Sequence, residues 1–245
     1  MDERVEATGV SRWWSATADL LLGAGCPGCG APWWGACPAC REHLQDQPTT
    51  LASPDPAPVG FPLAATAGPY DEVHRGLLGA HKEDQALMLT SLLGDRLAAA
   101  VDELLAAQQV LPGEPVVLVP VPSAASAVRS RGFDATAALA RRASRRLART
   151  RPVRSAGLLA QRAGLADQSG LDASQRAANL RGGLRLRRGP TTVGVRPDGP
   201  ALVVVDDLVT TGASLTEATA RLTEAGFEVL GAATVAATVR RLSTY

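Results

Sequence analysis

Residues 202–214 read LVVVDDLVTTGAS, and this run limits the fold more than any other stretch of the chain. Its β-branched, apolar head is that of a buried strand. The strand runs into two adjacent acids, Asp206 and Asp207, and then into Thr210, Thr211, Gly212, Ala213 and Ser214, which open a helical stretch over residues 214–226. A strand that ends in carboxylates and turns directly into a helix is the βα joint of an α/β sheet, where ligand crevices form outside the carboxyl ends of the strands.

The rest of the chain alternates in the same way. Apolar residues at helical spacing (Leu77, Leu78, Leu92, Leu93, Leu97, Leu104) indicate one or two helices over residues 75–105. The run PVVLVPVP at residues 115–122 reads as a buried strand ended by proline. A helix is expected over residues 133–149 with Asp134 as N-cap, short strands near 153–159 and 228–238, and a Gly- and Arg-rich mobile loop over 161–188 with a short helix near 173–180. The expected fold class is therefore α/β, an open, mostly parallel sheet flanked by helices. Residues 1–45 form a lead and a small cysteine module, 46–62 carry five prolines and read as a linker or surface loop, and 63–245 form the main domain. The longest apolar stretches, 20–22 and 201–205, are too short to cross a bilayer, and acids at Asp2, Glu3 and Glu6 give no signal-like segment. A cytoplasmic protein with no membrane span is the expectation.

All four cysteines fall in two C-x2-C knuckles, Cys26–Cys29 and Cys37–Cys40, seven residues apart. Each knuckle places two thiolates on one turn, and together they supply the four sulfurs of a tetrahedral Zn2+ shell. Disulfides conflict with the cytoplasmic expectation, and a redox motif would follow a strand and open a helix, a context missing here. With four thiolates the site is closed and structural. His43, three residues on, reads as a surface histidine.

Charge is uneven. Residues 127–190 hold fifteen Arg against three Asp, a net +12, while the remainder of the chain carries −11. Such a block suits a polyanionic partner, a phosphorylated ligand or nucleic acid, or else a solvated Arg-rich helix face. The single lysine, Lys82, is not preceded by a G-x-x-x-x-G frame, which excludes a P-loop nucleotide site. The same observation removes the reading of residues 202–207 as a Walker B strand, and the adjacent acids do not fit a D-x-D phosphatase.

The 202–214 run resembles the loop of type I phosphoribosyltransferases that binds 5-phosphoribosyl-1-pyrophosphate (PRPP). On that resemblance Asp206 and Asp207 accept hydrogen bonds from the ribose hydroxyls. Residues 210–214 then present backbone N–H groups, with the hydroxyls of Thr210, Thr211 and Ser214, to the 5′-phosphate. Further motifs follow in order: the cysteine knuckles, Tyr70 with Arg75 and His81-Lys82, Val119-Pro120-Val121-Pro122, Arg131-Gly132-Phe133-Asp134, Gln168, and Arg176-x-x-Asn179-Leu180. This order is similar to that of the ComF (GntX-like) family, a double zinc ribbon with a phosphoribosyltransferase domain. The family's R-G-F-N-Q reads R-G-F-D-A here.

The resemblance implies a transfer of the phosphoribosyl group to a nitrogenous acceptor with release of pyrophosphate. Mg2+ would be held largely by PRPP's own oxygens. Pro122 and Ser123 would face the pyrophosphate, Arg131, Arg162 and Arg176 would neutralise it, and residues 63–110 would form a hood over the acceptor. It also implies a second function class, a non-catalytic accessory factor for DNA uptake or single-stranded DNA handling, for which the basic segment is the motivating feature.

Overall fold

The computed structural model describes residues 25–162, 182–187, 195–196 and 198–238. In chain order the elements are helix α1 (Pro38–Asp46), strands β1 (Thr50–Leu51) and β2 (Ala64–Thr66), and helix α2 (Glu72–Lys82). A 3-10 turn (Leu87–Leu89) leads into α3 (Thr90–Ala107), β3 (Val116–Pro120), α4 (Ala125–Arg131), α5 (Ala135–Leu147), β4 (Val153–Ser155) and β5 (Leu159–Gln161). The last elements are β6 (Leu184–Leu186), β7 (Ala201–Val209), α6 (Ala213–Glu224) and β8 (Val229–Ala237). The fold is α/β, as expected: a six-stranded sheet of order β1-β2-β8-β7-β3-β4 in which only the β1–β2 pair is antiparallel. Strands β5 and β6 pair antiparallel in a separate hairpin.

Period-2 alternation divides the core into two layers. Val116 and Leu118 of β3 and Val203 and Val205 of β7 pack with α3 and α5 on one face. Val117, Val119, Leu202 and Val204 pack with Leu215, Ala218 and Leu222 of α6 on the other. Strands covered on both faces need continuous apolar sequence, which is what residues 116–119 and 202–205 supply. Local chemistry sets the helix ends. Asp71 caps α2 by accepting from His74 N–H at 2.8 Å, and Asp134 caps α5 by accepting from Ala137 N–H at 3.1 Å. Helix α4 stops at Gly132 in the left-handed conformation.

The chain leaves β3 through α5 to β4 on one side and leaves β7 through α6 to β8 on the other side. The two helices lie on opposite faces of the sheet. The neighbouring strands β3 and β7 therefore flank a topological switch point, the place where open α/β sheets form their crevice.

Residues 46–62 are more than a linker: β1 adds to the sheet edge through Thr50↔Thr66, and Pro54 and Phe61 pack beside Gly212. Residues 63–110, expected to rise as a hood, supply strand β2, second from the sheet edge, and the sheet-covering helix α3. The lead over 1–24 and the expected short helix near 173–180 lie outside the described residues. Among the described residues no helix is long and apolar enough to cross a membrane.

Candidate functional site

Strand β7 carries both acids past the end of β3, and the two side chains separate as pleat alternation requires. Asp206 is half-buried, and its Oδ1 accepts from Asp207 N–H at 2.9 Å. Asp207 is 4% exposed and turns to the face covered by α2, where Lys82 Nζ lies 2.6 Å from its Oδ2. The expected clamp of two carboxylates sharing one diol is therefore divided: Asp206 remains open toward the β7–α6 turn, and Asp207 is held by the last residue of α2.

Electrostatics follows from that division. Burial pushes the Asp206 carboxyl well above the usual carboxylate range, the neighbouring Asp207 charge pushes it further, and Lys82 opposes both. Burial alone would lower the Lys82 ammonium, but the charge and hydrogen bond of Asp207, with the charge of Asp206, hold it above its ordinary value. His81, buried beside Lys82, is pushed down by burial; its Nε2 lies 3.0 Å from Thr90 Oγ1, and its ring meets Phe133 edge-on at 5.7 Å.

Residues Thr210, Thr211, Gly212, Ala213 and Ser214 wrap the head of α6 and, with Asp206, line a cavity of about 30 Å³. Gly212 sits at φ +75°, and a side chain there would come within 2.6 Å of the Phe61 ring. The first N–H groups of a helix have no intrahelical partner. Here the first to close is that of Thr216, onto Gly212 O at 2.9 Å. The turn thus offers donors and the positive end of the helix dipole to an anion, with one carboxylate at its edge.

The other expected residues are dispersed. Arg131 donates from Nη1 to the Lys82 carbonyl at 3.1 Å and from Nε to Ala127 O at 3.2 Å, which braces α4 against the end of α2. Pro122 and Ser123 line a larger cavity on the β4 side of β3. Arg162 is exposed at the foot of the β5–β6 hairpin, where its N–H donates to Gly183 O at 2.8 Å. Arg176, with Gln168 and Asn179, lies outside the described residues. Sequence reasoning used Lys82 to exclude a nucleotide loop and as part of the His81-Lys82 motif, and missed its contact with Asp207. Its position as the one lysine, directly after a histidine, was the available signal.

The cysteines do assemble. Their four Sγ atoms lie within 4.8 Å of one another, with Cys29 and Cys37 3.6 Å apart, and none is in a disulfide. A tetrahedral shell with Zn–S near 2.3 Å needs sulfurs roughly 3.8 Å apart, so the donor set fits zinc. Burial pushes the Cys26 thiol up, but backbone N–H groups of Cys37, Gly28 and Cys29 outweigh it and bring it to about 7. Cys40 is pushed up by burial and by crowding from the other three sulfurs.

The module docks through close contacts. A side chain at Gly76 of α2 would collide with the Pro27 carbonyl. His43 of α1, expected at the surface, donates to Asp71 Oδ2 at 2.6 Å, while the buried His74 ring donates to Oδ1 at 2.8 Å. Burial would raise the Asp71 carboxyl, but the His74 N–H and the two imidazoles bring it to about 2.

No protein-family model matches the chain, and no curated protein matches its sequence.

Proposed function

We propose that the chain binds a phosphorylated ribose at the β7–α6 joint, PRPP by the resemblance of that joint. It then passes the phosphoribosyl group to a nitrogenous acceptor as pyrophosphate leaves. The observation that supports this reading is the shared cavity: a carboxylate and an anion-binding helix head meet in one depression beside the switch point of the sheet. In this reading Asp206 accepts from the ribose hydroxyls, and the N–H groups of residues 210–214 hold the 5′-phosphate. Asp207 acts through Lys82, which fixes its position. Arg131 positions the end of α2 by gripping the Lys82 carbonyl. Bound Mg2+ would supply charge neutralisation on the leaving pyrophosphate, chiefly through oxygens of the substrate itself. Most of the rate enhancement would come from positioning and charge stabilisation. The four cysteines would hold a structural Zn2+ remote from this chemistry.

Calorimetry with PRPP and Mg2+ on the wild-type protein and on Asp206→Asn tests the site. Loss of binding in the variant is expected, and unchanged affinity overturns the assignment. The folded-state carboxyl is raised, so its contribution to stability is greatest at low pH and is lost as pH rises from the ordinary carboxylate value through the folded one. Asp206→Asn is therefore expected to melt higher than wild type at neutral pH. Pyrophosphate release across a panel of nitrogenous bases tests the transfer; binding without turnover on any base overturns that step.

A further inference from the structure

The larger cavity lies on the other side of β3 from the switch point, between the ends of β3 and β4, helices α4 and α5, and the β5–β6 hairpin. Its volume is about 670 Å³, within the roughly 300–1,000 Å³ usual for small-molecule sites. Four guanidinium groups border it: Arg129 from α4, Arg141 from α5, and Arg185 and Arg187 from the β6 end of the hairpin. The one acid in its wall, Asp134, is already engaged, since its Oδ1 accepts from Ser123 Oγ at 3.1 Å and from the Ala137 N–H at 3.1 Å. Among the described residues none of the four arginines makes a side-chain hydrogen bond or ion pair.

Neighbouring arginines behave differently. Arg142 is fixed to Asp95 by two hydrogen bonds of 2.8 and 2.7 Å, and Arg151 lies 3.5 Å from Asp102. The basic segment is thus divided between arginines that hold the fold together and a set of four that line one concavity with no side-chain partner among the described residues. Like charges gathered this way repel one another, and an arrangement in which four lack carboxylates is one that a polyanion completes.

We propose that this cavity binds a multiply phosphorylated small molecule, with consecutive phosphates bridging the α4–α5 wall and the hairpin wall. The bounded volume and the apolar floor at Ala156 and Leu159 favour a compact ligand over a polymer running across the surface. The site shares no lining residue with the β7–α6 cavity, although Pro122 and Ser123, which the resemblance would turn toward the pyrophosphate of PRPP, belong to its wall.

The test is calorimetry with inorganic tripolyphosphate and, separately, with ATP, on the full chain and on two variants: Arg141→Gln with Arg187→Gln, and Arg145→Gln with Arg149→Gln. The Arg141/Arg187 pair is expected to lose about tenfold in affinity per arginine for both probes, with melting temperature little changed because neither side chain has a partner to lose among the described residues. The Arg145/Arg149 variant is expected to bind as wild type does. Tighter binding of ATP than of tripolyphosphate would place the nucleoside on the apolar floor, and equal binding would assign the whole affinity to the phosphates. Equal loss in the Arg145/Arg149 variant overturns the proposal, because the attraction would then belong to the general basic surface. So does orthophosphate binding as tightly as tripolyphosphate, or a single-stranded oligonucleotide displacing either probe at lower concentration than unlabelled tripolyphosphate does.

Discussion

Lys82 Nζ lies 2.6 Å from Asp207 Oδ2, so the only lysine of the chain neutralises the more buried of the two adjacent acids. The pair joins the end of α2 to the end of β7 at the mouth of the switch point. Asp207 is 5% exposed at its side chain and Lys82 34%, so the acid depends on the lysine more than the lysine depends on the acid. Lys82→Met strands a buried carboxylate, and the expected cost is about 2–4 kcal/mol by urea denaturation. Adding Asp207→Asn removes the stranded charge and is expected to restore most of that loss. A Lys82→Met protein as stable as wild type would mean that the ion pair does not form in solution.

Gly212 meets two constraints at once, a φ of +75° and the Phe61 ring lying 2.6 Å from where a β-carbon would sit. An alanine there bears left-handed strain of about 1–2 kcal/mol and a steric overlap of about 1–3 kcal/mol. Gly212→Ala is expected to lower stability by roughly their sum. The two terms separate experimentally: Gly212→Ala measured in a Phe61→Ala background is expected to cost only the backbone term. If the cost is the same in both backgrounds, residues 54–61 do not pack on the turn.

Much of this geometry was legible locally. The strand, acids and turn of β7 and α6 could be read because each residue type answers to its own neighbours, as does the Asp134 cap, which accepts from Ala137 three residues on. The cysteine cluster could be read because its spacing is short. Contacts between distant segments left no such trace. Phe61 against Gly212 and Lys82 against Asp207 join residues more than 120 positions apart, and neither periodicity nor spacing reports a partner that far away. Residues 46–62 read as a linker for the same reason: five prolines suppress any helical or strand period, yet β1 needs only two residues to close the sheet edge.

Acid is expected to weaken the protein in two stages. His74 and His81 are pushed below the ordinary imidazole value of 6.5, chiefly by burial. Asp71 supports His74 by hydrogen bond and charge, while His43 and Arg96 oppose its protonation. A base whose folded value is lowered contributes stability that is complete above its unfolded value and is lost as pH falls below it, so the first stage begins under about pH 6.5. Asp71, brought from 3.8 to about 2, contributes stability that is complete above 3.8 and is lost as pH falls toward 2. Urea midpoints from pH 8 to pH 3 check the sign, and Asp71→Asn is expected to flatten the lower stage and, by removing the acid that supports His74, to deepen the upper one. A midpoint that rises between pH 7 and pH 5 in an Asp206→Asn background, where the opposing titration of that acid is removed, would contradict the burial of both imidazoles.

The four-cysteine module tests how far the two parts of the chain depend on each other. Cys26, Cys37 and Cys40 are buried with Trp33 and Val73 packed against them, and Val73 belongs to α2, the helix that ends in Lys82. One zinc per chain is expected by elemental analysis, because four thiolates complete a single tetrahedral shell. Removing it leaves four crowded thiols in a cluster too small to hold itself together, and structural zinc supplies about 10–16 kcal/mol of binding energy in isolated finger peptides. Chelation or Cys26→Ser is therefore expected to expose residues 25–46 to amide exchange while β3 and β7 stay protected by their two-layer core. The effect should extend along α2 through Gly76 and Val73 and so loosen Lys82 from Asp207, lowering the melting temperature of the sheet by less than it lowers that of the module. A protein that is folded and metal-free as purified, or one in which β7 loses protection together with the knuckles, would break this chain of contacts at its first or its last link.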